Sequence, residues 1–159
     1  MLDVYERRIL RELQRNGRAS MQDLSQAVGL SPSPCWRRVR KLEDEGYIRR
    51  YAAILDGKKL GLKAFAYVHI SLTDHSEASV GTFNAFVDGS AQVIECASIT
   101  GESDYVLKVA ETDPEALEHF IMKEVLRLGV VRNAMTNFVL RQTKVAAALP
   151  VSLAEPEEG

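Results

Sequence analysis

The spacing of apolar residues changes period once along this chain, and that change constrains the fold more than any other feature. Tyr5, Ile9, Leu10 and Leu13 recur at the three- and four-residue intervals of an amphipathic helix, whereas Ala64, Ala66, Val68, Ile70 and Leu72 alternate with the two-residue period of a half-buried strand. A helical module followed by a strand-bearing one is the expected arrangement. With 159 residues the chain is long enough for two small domains, and 46% hydrophobic with 26% charged residues is the composition of a folded chain.

Charge divides at the same place. Residues 1–60 hold 13 Lys+Arg against 8 Asp+Glu, a net +5, and residues 61–159 hold 7 against 14, a net −7. A basic module joined to an acidic one fits a protein in which only the first part sits against phosphates. The apolar runs are far too short to span a bilayer and the N-terminus opens with charge, so a cytoplasmic protein without membrane association is expected. Cys35 and Cys96 stand far apart in no ligand spacing, which points to packing and to neither a disulfide nor a metal.

Punctuation residues divide the first module into three helices. Asp3 and Glu6 have capping-box spacing at the start of the first, Ser20 caps a short second one, and Gly29 closes it. After the tight turn Leu30-Ser31-Pro32, Ser33 and Pro34 are read as N-cap and first-turn proline of a third helix that stops at Gly46. Cys35, Val39 and Leu42 share one face of that helix, leaving Arg37, Arg38, Arg40 and Lys41 to point elsewhere. Three short helices with a basic last one form a helix-turn-helix, whose third helix enters the major groove of double-stranded DNA by its N-terminal end.

Ser31, Ser33 and Trp36 would then lie nearest the DNA with the cations, with Arg37 and Arg40 or Lys41 outermost. Two alternatives stand beside this reading. The basic face is solvated and paired with Glu43, Asp44 and Glu45, or Trp36 belongs to the core.

Residues 51–62 read as a linker strand and hinge, ending in the turn Asp56-Gly57-Lys58-Lys59. Beyond it come a strand from Lys63 to Thr73, a helix opened by Ser76, strands Val93–Thr100 and Tyr105–Glu111, a helix opened by Asp113-Pro114, and a last strand from Val131 to about Thr143. The order βαββαβ is the ferredoxin-like arrangement, so the fold class is α+β. The domains are thus 1–50, the linker 51–62, a second domain 63–149 and a mobile tail 150–159.

The run Leu30-Ser-Pro-Ser-Pro-Cys-Trp-Arg-Arg-Val-Arg-Lys-Leu-Glu-Asp-Glu-Gly-Tyr-Ile48 closely resembles the Lrp/AsnC, or feast/famine, family of regulators. Thr100 to Val109 resembles the family's hairpin motif, and Thr136 to Leu140 its final strand. The resemblance covers about residues 2–149. It implies a winged helix-turn-helix joined to a ferredoxin-like domain that senses an amino acid, with homodimers formed through the sheets and assembly into higher oligomers such as octamers. It also implies an effector loop of Thr100, Gly101, Glu102 and Asp104, with Thr136 and Asn137 supplied by a neighbouring subunit.

A free amino acid needs an acceptor for its ammonium, such as Asp104, and backbone N–H groups that Gly101 lets it approach. Read without the family, the same residues form a hairpin turn in which Asp104 bonds its own main chain. Asn137 departs from the hydroxyl residue frequent at its position, and the identity of the effector stays open. No cofactor is expected. An enzyme would need a constellation that is missing, since His69, His75 and His119 are widely separated and no nucleophile set is evident. An RNA-binding module would need exposed aromatics on the middle strands, where only Tyr105 stands.

Overall fold

A computed structural model describes residues 1–144 and 148–152 of the chain. It divides into two compact units, one of Met1–Ile54 with the C-terminal residues from Lys144, the other of Leu55–Thr143. Residues 153–159 of the expected mobile tail lie outside the described residues.

The first unit contains helices α1 (Val4–Arg15), α2 (Met21–Val28) and α3 (Pro32–Asp44). The capping box is formed as the spacing implied: Asp3 accepts from the Glu6 N–H at 2.8 Å and Glu6 accepts from the Asp3 N–H at 2.9 Å. Gly29 adopts φ 77° after α2, letting the Leu30 N–H reach back to the Ser25 carbonyl at 2.9 Å and turning the chain toward α3. Ile9, Leu24, Val28, Cys35, Val39 and Leu42 interlock as the buried core of this trihelical unit. The C-terminal residues return to α1, where Gln14 exchanges hydrogen bonds of 3.1 and 2.5 Å with the Leu149 backbone and Arg7 donates to the Ser152 carbonyl at 3.3 Å.

Helix α3 begins two residues earlier than its sequence suggested. Ser31 is the N-cap and Pro32 the first-turn proline, while Ser33 and Pro34 lie inside the helix. A proline in either place satisfies first-turn geometry, because none of these N–H groups has an intrahelical acceptor. Residues 51–55, expected as a linker strand, form no ladder, since an extended segment becomes a strand only when another edge pairs with it.

The second unit has strands β1 (Ala64–Leu72), β2 (Val93–Ser98), β3 (Tyr105–Glu111) and β4 (Val131–Phe138), with helix α4 (Glu77–Gly89) after β1 and α5 (Pro114–Phe120) after β3. Helix α5 continues through one π-turn, Ile121–Val125, and a short 3-10 turn, Leu126–Leu128. The sheet is antiparallel in the order β2-β3-β1-β4, the ferredoxin-like topology expected from βαββαβ. Ala64, Ala66, Val68, Ile70 and Leu72 of β1 join Leu107 and Val109 of β3, Phe83 of α4, and Leu117 and Phe120 of α5 in one core. The other side of β1, where Tyr67 is exposed, carries no helix of this unit.

Strand β4 ends at Phe138, short of the expected Thr143. Among the described residues its only partner is β1, and the ladder runs out where Phe138 faces Ala66 and the Val139 N–H meets the Phe65 carbonyl at 2.8 Å. An edge strand cannot outlast the strand it pairs with.

Candidate nucleic-acid interface and effector loop

Helix α3 sorts its side chains by angle. Successive residues are turned by about 100°, so Cys35, Val39 and Leu42 face the core while Ser33, Trp36, Arg37 and Arg40, at i, i+3, i+4 and i+7, line the opposite side. All four of that outer set are exposed. Arg40 lies 5.7 Å over the Trp36 ring and 3.2 Å from Glu43, while Arg37 has no ionic partner among the described residues. Trp36, 52% exposed, is not a core residue. Ser31 makes no side-chain cap bond, so its hydroxyl is available beside the Ser33 N–H, which Pro32 and Pro34 leave as the N–H of the first turn.

Arg38 and Lys41 flank the apolar face and are drawn back to α1. Arg38 Nη2 is 3.1 Å from Asp3 and its guanidinium sits 5.7 Å over Tyr5, with Nε buried. Lys41 Nζ donates to Glu6 Oε1 at 2.8 Å and lies 4.0 Å from Glu45. Of the four cations expected near the DNA, with Arg37 and Arg40 or Lys41 outermost, Arg38 and Lys41 are the two that pair with α1. Burial works against the Glu6 carboxylate, but the bonds from Lys41 and the Asp3 N–H outweigh it and hold its pKa below the ordinary value. The bond to Glu6 in turn raises the pKa of Lys41. Sequence spacing revealed Glu6 as half of a capping box, but its second bond joins residues 35 apart and has no local signature.

In the second unit the β2–β3 connection carries Thr100, Gly101 and Glu102 at the surface, with Gly101 at φ 123°. The N–H groups of Gly101, Glu102 and Ser103 donate no hydrogen bond among the described residues. Asp104 is better anchored than an ordinary turn residue. Its N–H donates to the Ile70 carbonyl at 2.8 Å, one carboxylate oxygen accepts from the Leu72 N–H at 2.8 Å, and the other meets His75 Nε2 at 2.8 Å. Those bonds, the Leu72 N–H first and His75 second, pull the Asp104 pKa below the ordinary value. The local turn reading had Asp104 bonding its own main chain; it bonds the end of β1 instead.

Thr136 and Asn137 do not converge. Thr136 pairs with Val68 on the face that carries the core, and Asn137 pairs with exposed Tyr67 on the opposite face. Adjacent residues of a strand point to opposite sides, so this separation was implicit in the sequence as soon as β4 was assigned. The missed residue is His75, whose approach to Asp104 depends on how the chain leaves β1.

Among the described residues no helix is long and apolar enough to cross a membrane, and no group of His, Cys, Asp and Glu could hold a metal ion.

Comparison with known proteins joins the two units to named relatives. Residues 2–49 match a family described as winged helix-turn-helix DNA-binding, and residues 65–149 match the Lrp/AsnC ligand binding domain. The leucine-responsive regulatory protein of Salmonella typhimurium is 37% identical over 150 residues, covering 94% of this chain and 92% of its own. The transcriptional regulator AzlB of Bacillus subtilis is 32% identical, covering 95% and 96%. Among solved structures, a transcriptional regulator of Neisseria meningitidis in complex with L-methionine superposes with a TM-score of 0.91 at 38% identity, covering 94% of this chain and 97% of that one.

Proposed function

The chain belongs to the Lrp/AsnC family of transcriptional regulators, and on that premise we propose how its two units divide the work. It is a DNA-binding regulator with a ligand-binding domain, and not an enzyme. In our reading the DNA contact is made by Ser33, Trp36, Arg37 and Arg40. Arginine can grip guanine O6 and N7 with two bonds or neutralise a phosphate, and Trp36 holds the Arg40 guanidinium in a stacked pose before any DNA arrives. Ser31 and the Ser33 N–H take a phosphate oxygen. Arg38 and Lys41 act on DNA indirectly, by holding the recognition helix to α1.

The observation that carries this reading is the exposed stripe Ser33, Trp36, Arg37 and Arg40 opposite the buried face of α3. It is an unburied edge of positive charge on a helix whose other side is fixed. Fluorescence anisotropy with a duplex from the gene's own upstream region, at several salt concentrations, tests it: affinity falls steeply as salt rises. Binding that ignores salt would contradict it.

The second unit binds an amino-acid effector at the 100–104 loop. The free N–H groups of Gly101, Glu102 and Ser103 suit a carboxylate, and Asp104 suits an ammonium. Relatives named for leucine or solved with L-methionine make those two the first candidates. Copies pair into dimers through the helix-free face of the sheet, where Tyr67 and Met135 are 42% and 52% exposed, and dimers join into a higher oligomer, with Asn137 reaching the effector site from a neighbouring subunit. Thr136, on the core-bearing face, enters that site only through its backbone. The effector acts by binding one assembly better than another, which resets the spacing of paired recognition helices. The protein works in the cytoplasm.

A further inference from the structure

If the 100–104 loop receives an amino acid, its acceptor is already in use. One oxygen of Asp104 is committed to the Leu72 N–H, a main-chain bond that ties the loop to β1. The other holds His75 Nε2 at 2.8 Å. These two bonds differ in how easily they break. The first belongs to half-buried backbone, whereas the His75 side chain is 69% exposed, sits on the coil between β1 and α4, and makes no other hydrogen bond among the described residues.

We propose that His75 is a placeholder for the effector's ammonium: it occupies Asp104 Oδ1 in the free protein and swings into solvent when an amino acid binds. This inference rests on reading the 100–104 loop as the effector site. Imidazolium and ammonium are both cationic N–H donors, so the exchange leaves the Asp104 charge met in both states. The Leu72 bond survives the exchange and keeps the carboxylate aimed. His75 thus sets how much affinity an incoming amine must supply, making it a specificity-determining residue that a ligand without a cationic amine cannot displace.

Other charged groups lie near the pair. Arg132 on β4 acts favourably on Asp104, Glu102 lies in the loop itself, and Asp74 and Glu77 flank His75 on its own segment. Asp74, bonded by Ser76, Ser79 and Thr73, has its pKa pulled down to about 2 and stays ionised, as does Asp104. His75 is then the exchangeable partner of a carboxylate that stays charged.

Isothermal titration of the full-length wild type, His75→Ala and His75→Arg with L-leucine and with L-methionine, followed by the other standard amino acids, tests the exchange. An exposed ion pair of this kind corresponds to roughly two- to fivefold in affinity, so His75→Ala binds that much tighter than the wild type. His75→Arg, a permanent cation, binds no tighter than the wild type. His75→Ala binding no tighter than the wild type, or His75→Arg matching His75→Ala, would overturn the placeholder role while leaving the effector loop in place. Wild type that binds no amino acid would overturn the loop reading and this inference together.

Discussion

At the scale of single residues, the first unit depends on a carboxylate with only 1% of its surface exposed, and its partner is a lysine of the recognition helix. Such a group is stable only while both its charge and its hydrogen bonds are met, and Lys41 helps to meet both, whereas Arg37, a single turn away, has no ionic partner among the described residues. Lys41→Ala lowers the melting temperature and leaves the salt dependence of DNA binding close to wild type. A thermal melt beside a salt titration separates the two effects, and a changed salt dependence without loss of stability would assign Lys41 to the DNA.

The Glu6 pKa is depressed in the folded state, so its contribution to stability is full above the ordinary carboxylate value and is lost as pH falls through the lower folded value. Urea unfolding from about pH 6 down to about pH 3 shows that loss in the wild type, and Glu6→Gln flattens it. Sequence spacing showed which cations avoid the core but not which of them α1 captures, because Glu6 and Lys41 meet only through tertiary packing.

At the scale of elements, the chain was legible where local chemistry decides the outcome. Asp3 with Glu6, Ser20 and Gly29 behave as their spacing requires, since caps and left-handed turns are settled within a few residues. The start of α3 and the end of β4 were misjudged, because Pro32 and Pro34 suit a first turn equally and because β4 ends beside the beginning of β1. Leu42, fully buried between the three helices, anchors α3 to the rest: Leu42→Ala costs about 2–5 kcal/mol by chemical denaturation. The 100–104 loop obeys a different constraint. Gly101 has φ 123° and open space where a side chain would stand, so Gly101→Ala incurs only the backbone strain, about 1–2 kcal/mol. A larger loss would mean that the loop is closely packed in solution.

At the scale of the whole molecule, the division of charge between a basic first part and an acidic remainder was visible in the sequence, and the structure gives each part its own core. What the sequence hid is that exposed Tyr67 and Met135 share one helix-free surface of the sheet. If copies pair there, Tyr67→Asp with Met135→Asp shifts the sedimentation profile toward monomer while each unit keeps its secondary structure. A profile unchanged by both substitutions would place the interface elsewhere. The regulator's central requirement is that α3 meets DNA through its outer stripe. The direct measurement is the slope of log affinity against log salt for the upstream duplex, in the wild type and in Arg37→Ala with Arg40→Ala. The predicted result is weaker binding, with the slope reduced by about one for each phosphate that the variant no longer neutralises, whereas equal affinity and equal slope in the two proteins would contradict it.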